Sequence, residues 1–331
     1  MSTTVSRQRC APGVAVKPAG AETVVACYDF FDCVLPECGL LDMTEGMYYG
    51  DRSTPYEQAQ QNQIRWLLDQ VACGPGTRLL DIGCGNGTLL EAARQREAEP
   101  IGITISPPQV ERCRARGLDV RLLDYRQIPD EWNERFDAIV ANGSIEHFVK
   151  PADVAADRAD EIYRELFEIC HRIIDPASPS RRFATTTIHL HSGTPPLEPE
   201  DVLAGPMSFR WGTPKFHYAL LQRGFCGFPP SVGQLQRCAE PHFSPAVEVD
   251  GTQDYHWTSE EACRRAWQGL WRWKTGPKVW RLLLGHFLRH PRHTAAMFFC
   301  LFFAQSWQWQ FRGADPPTRL LRQIWDWQPA G

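Results

Sequence analysis

The chain has 331 residues, enough to bury a full hydrophobic core as one large domain or two modest ones. Its formal net charge of −4 argues against a nucleic-acid partner, and the composition is that of an ordinary globular protein. Twelve cysteines are scattered singly with no Cys-x-x-Cys, so neither a disulfide framework nor a metal site is expected. No apolar h-region occupies the first thirty residues, and the longest apolar run, Ala295 to Ala304, is about half the ~18–20 residues that span a bilayer. These features predict a cytoplasmic protein with reduced thiols.

Residues 1–20 mix Ser, Thr, Pro, Gly and Arg without periodicity and read as a disordered leader. Order is expected from about Cys27. The stretch Leu40 to Asp51 carries glycines and aromatics and reads as a loop covering a ligand. In Thr54-Pro55-Tyr56-Glu57 an N-cap candidate is followed by Pro at the first helical position and an acid at the third. The helix that follows puts Ile64, Leu67, Leu68 and Val71 on one face and ends by Gly74-Pro75-Gly76. Residues 21–76 therefore form a helical cap with a covering loop.

Leu79-Leu80-Asp81-Ile82-Gly83-Cys84-Gly85-Asn86-Gly87 then runs from a buried strand into a tight turn, and Thr88 onward opens a helix. Glycine permits positive φ and close backbone approach to a ligand, and free N–H groups at the helix start suit an anion. The nonapeptide resembles motif I of the class I S-adenosylmethionine (SAM) methyltransferases. Strands at Pro100–Ser106, Val120–Asp124, Phe136–Asn142 and Phe183–Leu190 alternate with helices at about 107–116 and 160–174. That alternation implies an α/β, doubly wound Rossmann-like sheet over residues 77–190, with helices on both faces. Residues 191–275 are rich in Pro and Gly as far as about Pro245 and read as a substrate-covering segment with the remaining strands. Helices are expected at Ser259–Trp273, Pro277–Leu288 and Pro291–Phe311, so residues 276–331 read as a helical extension. From Arg264 onward the charge balance is +9, and nine of the twelve tryptophans lie from Trp257 onward. Such a region suits either peripheral contact with an anionic inner-membrane surface or a helical layer packed on the core with its cations in water.

A narrower resemblance rests on Tyr28-Asp29, Met43-Thr44, Gln58-Ala59-Gln60, Leu79–Gly87, Gly102-Ile103-Thr104-Ile105-Ser106-Pro107-Pro108-Gln109, Asp124-Tyr125-Arg126 and Glu146-His147. With Phe228-Pro229-Pro230-Ser231 and Tyr255-x-x-Thr258, these resemble the landmarks of the cyclopropane-fatty-acyl-phospholipid synthase and mycolic acid cyclopropane synthase family. The resemblance covers about residues 27 to 275. It implies SAM as cofactor. Asp81 would hold the ammonium group, Gly83 and Gly85 would leave the backbone room, and Thr104 and Gln109 would face the ribose or methionine part. Asp124 and Tyr125 would take the adenine. From the residues alone, Thr104 as readily ends a strand and Gln109 as readily is a solvated helix residue, while an Asx-turn at Asp81 and core filling by Tyr125 are the lesser alternatives.

The family's site implies a bicarbonate held by Cys, Glu, His and Tyr. Glu146 and Tyr255 match, whereas Met47 and Thr186 stand where the Cys and His are expected. Without those donors the resemblance implies methyl transfer to carbon of an apolar, unsaturated acyl or isoprenoid-like substrate without ring closure. Glu146 would stay charged near a sulfonium, His147 could be a general base near neutral pH, and Tyr255 could face a developing cation. Alternatively His147 is bonded into a helix start and Tyr255 is a core aromatic. The Glu-His pair leaves N- or O-methylation of a small amine or hydroxyl metabolite open. A non-catalytic SAM- or lipid-binding protein is the reading from another class.

Overall fold

The computed structural model describes residues 21–191 and 198–329, so the expected leader at 1–20 lies outside the described residues. A helix α1 (Ala21–Val34) and a loop precede α2 (Tyr56–Gln70). The alternating core follows: β1 (Arg78–Ile82), α3 (Thr88–Gln95), β2 (Glu99–Thr104), α4 (Pro107–Ala115), β3 (Val120–Leu122) and β4 (Ala138–Asn142). A short α5 (Pro151–Ala155), the long α6 (Ala159–Ile173) and β5 (Arg182–Leu190) complete it. The covering segment holds α7 (Pro199–Ala204), α8 (Pro214–Phe225), α9 (Gln234–Ala239) and β6 (Phe243–Asp250). Then come α10 (Thr252–Trp271), α11 (Gly276–Arg289), α12 (Pro291–Phe298), the single turn α13 (Ser306–Trp309) and β7 (Thr318–Trp327).

The strand order is β3-β2-β1-β4-β5-β7-β6; the first five are parallel and β7 runs antiparallel between β5 and β6. Successive strand residues point to opposite faces. Leu79 accordingly packs with Leu67 and Leu68 of α2, and Leu80 packs with Phe167 of α6 on the other side. Buried apolar side chains on both faces explain why the parallel strands read as continuous hydrophobic runs. A third core unites α1 (Cys27, Phe30, Phe31) with α8, α10, α11 and α12. The first and the late helices thus form one layer, laid across the carboxyl ends of the strands.

Three expectations need correction. The helix after Pro55 starts at Tyr56 with Pro55 as its cap, so Thr54 does not cap it, and it stops at Gln70 because Ala72 takes a left-handed turn (φ 51°) ahead of the glycines. The helix expected to run from Pro291 to Phe311 is broken by a π turn at Phe299–Phe303 and by Gln305 at φ 48°. That break turns Trp307 inward and lets Ser306 Oγ meet His217 Nδ1 at 2.9 Å. Finally, the extension 276–331 is helical only as far as Trp309, and its last part is the strand β7. Most of that strand is buried on both faces and it carries the charged Arg322, so neither alternation nor an unbroken apolar run announces it.

Candidate active site

Two lobes of a cavity meet at the carboxyl ends of the parallel strands, with Tyr28, Gly83, Gly85, Gln109 and His147 lining both. The crevice lies where β1 is flanked by β2 and β4, the position at which open α/β sheets bind ligands.

The glycine turn after β1 separates two roles that its sequence makes look alike. Gly83 has φ 80°, and a Cβ there would sit 2.5 Å from Ser144 Cβ, so its small size lets the turn pack on the β4 loop. Gly85 has φ 52° and nothing within 4 Å of the corresponding position; it is this glycine that leaves room for a ligand. Asp81 is buried and faces the same space, its Oδ1 without a hydrogen-bond partner, so it does not serve as a satisfied turn-closing residue. Loss of solvent pushes its pKa up to about 8, with Cys113 and Asp42 adding to the rise. A buried carboxyl with an orphaned oxygen fits a cationic ligand group.

Beyond the turn, Thr104 Oγ1 donates to Gln109 Oε1 at 2.7 Å, and Gln109 Nε2 donates to Asp32 Oδ2 at 3.3 Å. Gln109 is buried, not a solvated helix residue. Asp32 also accepts from Asn86 Nδ2 at 3.1 Å and pairs with Arg112. This acidic residue of α1 was not anticipated, because nothing in the sequence brings the first helix to the cofactor turn. Asp124 Oδ1 accepts from Arg126 N at 3.0 Å, which leaves the side chain half-buried at the lobe's edge. Tyr125 stacks on Phe148 at 4.4 Å and 20°, and its buried hydroxyl has no partner. The second lobe therefore offers aromatic faces, an acid and an unsatisfied hydroxyl, a set that fits a purine.

The first lobe widens into a chamber walled by Ile188 of β5, Leu221 and Phe225 of α8, Tyr255 of α10 and Trp307 of α13. Glu146 enters it from the turn after β4, buried and with Oε2 unpartnered; desolvation, then the charge of Glu45, raises its pKa to about 8. Tyr255 packs against Phe311 at 4.5 Å and Trp307 at 6.2 Å, and burial holds its phenol protonated far above neutrality. His147 meets Tyr28 edge-on at 5.7 Å with Nδ1 unpartnered. Desolvation lowers its pKa to about 4, so it is a neutral imidazole and not the base near neutral pH that the sequence suggested.

The two altered positions differ in placement. Thr186 Oγ1 donates to Asn142 Oδ1 at 2.6 Å and accepts from Gly143 N at 3.1 Å, which commits it to the strand end. Met47 is buried in the covering loop and does not line the chamber; Met43, Thr44 and Glu45 do. Glu45, like Asp32, lines the cavity without being singled out by the sequence. Its signal was an acid inside an apolar, glycine-bearing stretch.

The resemblance motifs far from the turn hold this loop in place. Gln60 Nε2 donates to Asp42 O at 3.0 Å and Thr44 O at 2.9 Å, and Thr258 Oγ1 accepts from Gly46 N at 2.9 Å. Arg322, wholly buried on β7, donates to Gly46 O at 2.9 Å and Gln63 Oε1 at 2.6 Å and pairs with Asp254 at 2.9 Å. Phe228 N donates to Val149 O and Leu190 N to Pro230 O, each at 2.8 Å, fastening the covering segment over Glu146.

A family model described as mycolic acid cyclopropane synthetase matches residues 27–189. A probable fatty acid methyltransferase of Pseudomonas putida is 38% identical over 109 residues, 30% of this chain and 27% of that protein. The cyclopropane-fatty-acyl-phospholipid synthase of Escherichia coli K12 is 31% identical over 192 residues, 56% of this chain and 41% of that protein. The matched stretches thus span less than half the length of these curated relatives. A mycolic acid cyclopropane synthase solved with SAH and CTAB shares the fold, with a TM-score of 0.67 and 20% identity over 94% of this chain and 99% of the other. With the strand order and the glycine turn, these likenesses make residues 27–189 similar to the cyclopropane synthase family and give the chain the Rossmann-like fold of SAM-dependent methyltransferases.

Proposed function

We propose that this protein transfers a methyl group from SAM to a carbon of an apolar, unsaturated acyl or isoprenoid-like chain without closing a cyclopropane ring. The observation that carries the reading is a chamber walled by Ile188, Leu221, Phe225 and Trp307 that opens directly onto the cofactor turn, with Glu45, Glu146 and the phenol of Tyr255 among its polar side chains. When bound, the cofactor supplies an electrophilic methyl group on a sulfonium. Asp81 would hold its ammonium group; Thr104, Gln109 and Asp32 would meet its hydroxyls; Tyr125 and Asp124 would meet its adenine. Ile188, Phe225 and Trp307 exclude water and hold the chain against the reacting carbon, and the ring of Tyr255 faces positive charge as it develops. Glu146 and Glu45, desolvated and facing the same space, share a negative charge that stabilises it. The placement of Thr186, tied to Asn142, supports the absence of an anion site like that of the ring-closing enzymes.

The relatives named as fatty acid methyltransferase and fatty-acyl-phospholipid synthase support a lipid acceptor. Peripheral contact with an anionic bilayer belongs to the same reading. Trp271, Trp273, Trp280 and Leu288 are 65%, 94%, 43% and 75% exposed, and residues 276–305 carry four Lys or Arg and no acid. Among the described residues no helix is long and apolar enough to cross a membrane.

The test is turnover of unsaturated phospholipid vesicles with SAM whose methyl group carries three deuteriums. Retention of all three in the lipid product is expected. Retention of two, together with the high-field proton signals of a cyclopropane, means that the methyl carbon gave up a deuteron to close the ring and overturns the open-chain outcome. Label confined to a polar amine product overturns the carbon acceptor.

A further inference from the structure

Resting on that reading, we propose that Glu45 is the proton acceptor that completes the reaction. Its side chain is 2% exposed, lies in the chamber beside Glu146 and Tyr255, and carries an Oε2 with no hydrogen-bond partner. The other oxygen, Oε1, lies over the bare Cα of Gly143, where a Cβ would come within 2.7 Å. Gly143 thus opens the space that Glu45 fills. Both neighbours are clamped: Thr44 through Gln60, and Gly46 through Thr258 and Arg322. A carboxylate held this firmly against an apolar chamber is built into the site, not a loop acid that happens to fold inward.

The charge state agrees with the geometry. Burial raises Glu45 to about 7, with Arg322 and its own backbone N–H opposing, while Glu146 stands at about 8 partly because Glu45 is beside it. The two carboxyls titrate as a pair that holds one proton and one negative charge between those values, so a carboxylate is present in the chamber to accept a proton. His147, held low, does not compete for the role.

The π electrons of the acceptor's double bond form the new C–CH3 bond while the pair of the broken S–CH3 bond stays on sulfur. The other alkene carbon is left cationic. Glu45 takes a proton from the carbon next to that cation, the C–H pair becomes the new double bond, and the product is a neutral methyl-branched alkene. The proton passes from Glu45 to water when product leaves.

The test uses the full-length protein, methyl-deuterated SAM and unsaturated phospholipid vesicles, comparing Glu45→Gln, Glu45→Asp and Glu45→Ala. Glu45→Gln should lose about 10²–10⁴-fold in methylated alkene, with SAH affinity changed less than about threefold. Glu45→Asp should keep part of the rate, and Glu45→Ala should regain rate saturably with added formate. Carbon-13 NMR of glutamate-labelled protein, without cofactor, should show two carboxyls titrating above pH 6, and in Glu45→Gln one, shifted down by loss of its charged neighbour. Turnover by Glu45→Gln near the wild-type rate overturns the proposal alone, as does an ordinary titration at Glu45 or an equal loss of SAH affinity. Wild-type protein that labels no apolar product overturns the methyl-transfer reading and this proposal with it.

Discussion

The two ends of the cavity are built in opposite ways. The cofactor end comes chiefly from three short stretches of backbone, residues 81–85, 104–109 and 124–125, each at the carboxyl end of a parallel strand or just after it. The chamber end draws its side chains from a loop, a turn after β4, one strand and three helices: Glu45, Glu146, Ile188, Phe225, Tyr255 and Trp307. Strand ends and their turns are placed by the sheet, so the first end tolerates change in the outer helices. The second has no scaffold of its own and exists only while distant segments stay fastened. Affinity for the cofactor and capacity for chemistry should therefore separate under mutation.

The largest effect is expected at Arg322. Arg322→Ala removes one buried cation from Asp254, Gly46 and Gln63 at once, and breaking a buried pair on one side costs about 3–5 kcal/mol. Denaturant unfolding should show that loss. At temperatures where the variant stays folded, turnover should fall further than SAH affinity; equal losses would erase the distinction between the two ends.

Glu146→Gln comes next. Turnover should drop about 10²–10⁴-fold, the range for losing a positioned charged group, while SAH binding measured by calorimetry stays within a few-fold. Parallel loss of both would assign Glu146 to the cofactor end.

Asp81→Asn should do the reverse, weakening SAH by about 1.5–3 kcal/mol through loss of a charge-assisted hydrogen bond. It should also change the pH dependence of stability in the cofactor-free protein. Asp81, Glu45 and Glu146 have folded pKa values of about 8, 7 and 8, above their unfolded values, so the native state holds more protons than the unfolded state between about pH 4 and 8. Stability from this source is full below the unfolded values and declines as pH rises through the folded ones. Melting scans should show the difference between Asp81→Asn and wild-type protein shifting in favour of the variant from pH 5 to 8. A difference that does not change with pH would contradict it.

The smallest effect is expected at Trp273, which is 94% exposed and lies outside both ends of the cavity. Trp273→Ala should leave stability within about 0.5 kcal/mol and lower partitioning onto anionic vesicles in sedimentation. Unchanged partitioning would remove this tryptophan from any bilayer contact.

How far each residue was legible follows the same division. Asp81, Gly85, Thr104 and Gln109 sit on or beside regular strands, where hydrophobic runs and glycines report backbone conformation locally, and all line the cavity. Gly83 was read as room for a ligand, yet its small size serves contact with Ser144, which only the neighbouring strand reveals. His147 lines the cavity, but its pKa is held too low for the base that the sequence suggests, because the pKa of an imidazole depends on surrounding solvent that no spacing encodes. Glu45 and Asp32 escaped because a loop and a first helix have no periodicity that points to a distant strand end.

The sequence by itself determined the alternating core, the glycine turn and the acid beside it, since these depend on contacts among residues near one another in the chain. Only the tertiary structure decided that the last strand enters the sheet, that Arg322 ties the covering loop down, and that Glu45 and Glu146 share one chamber. Those outcomes depend on desolvation and on pairings between segments far apart in the chain, and a linear pattern carries neither.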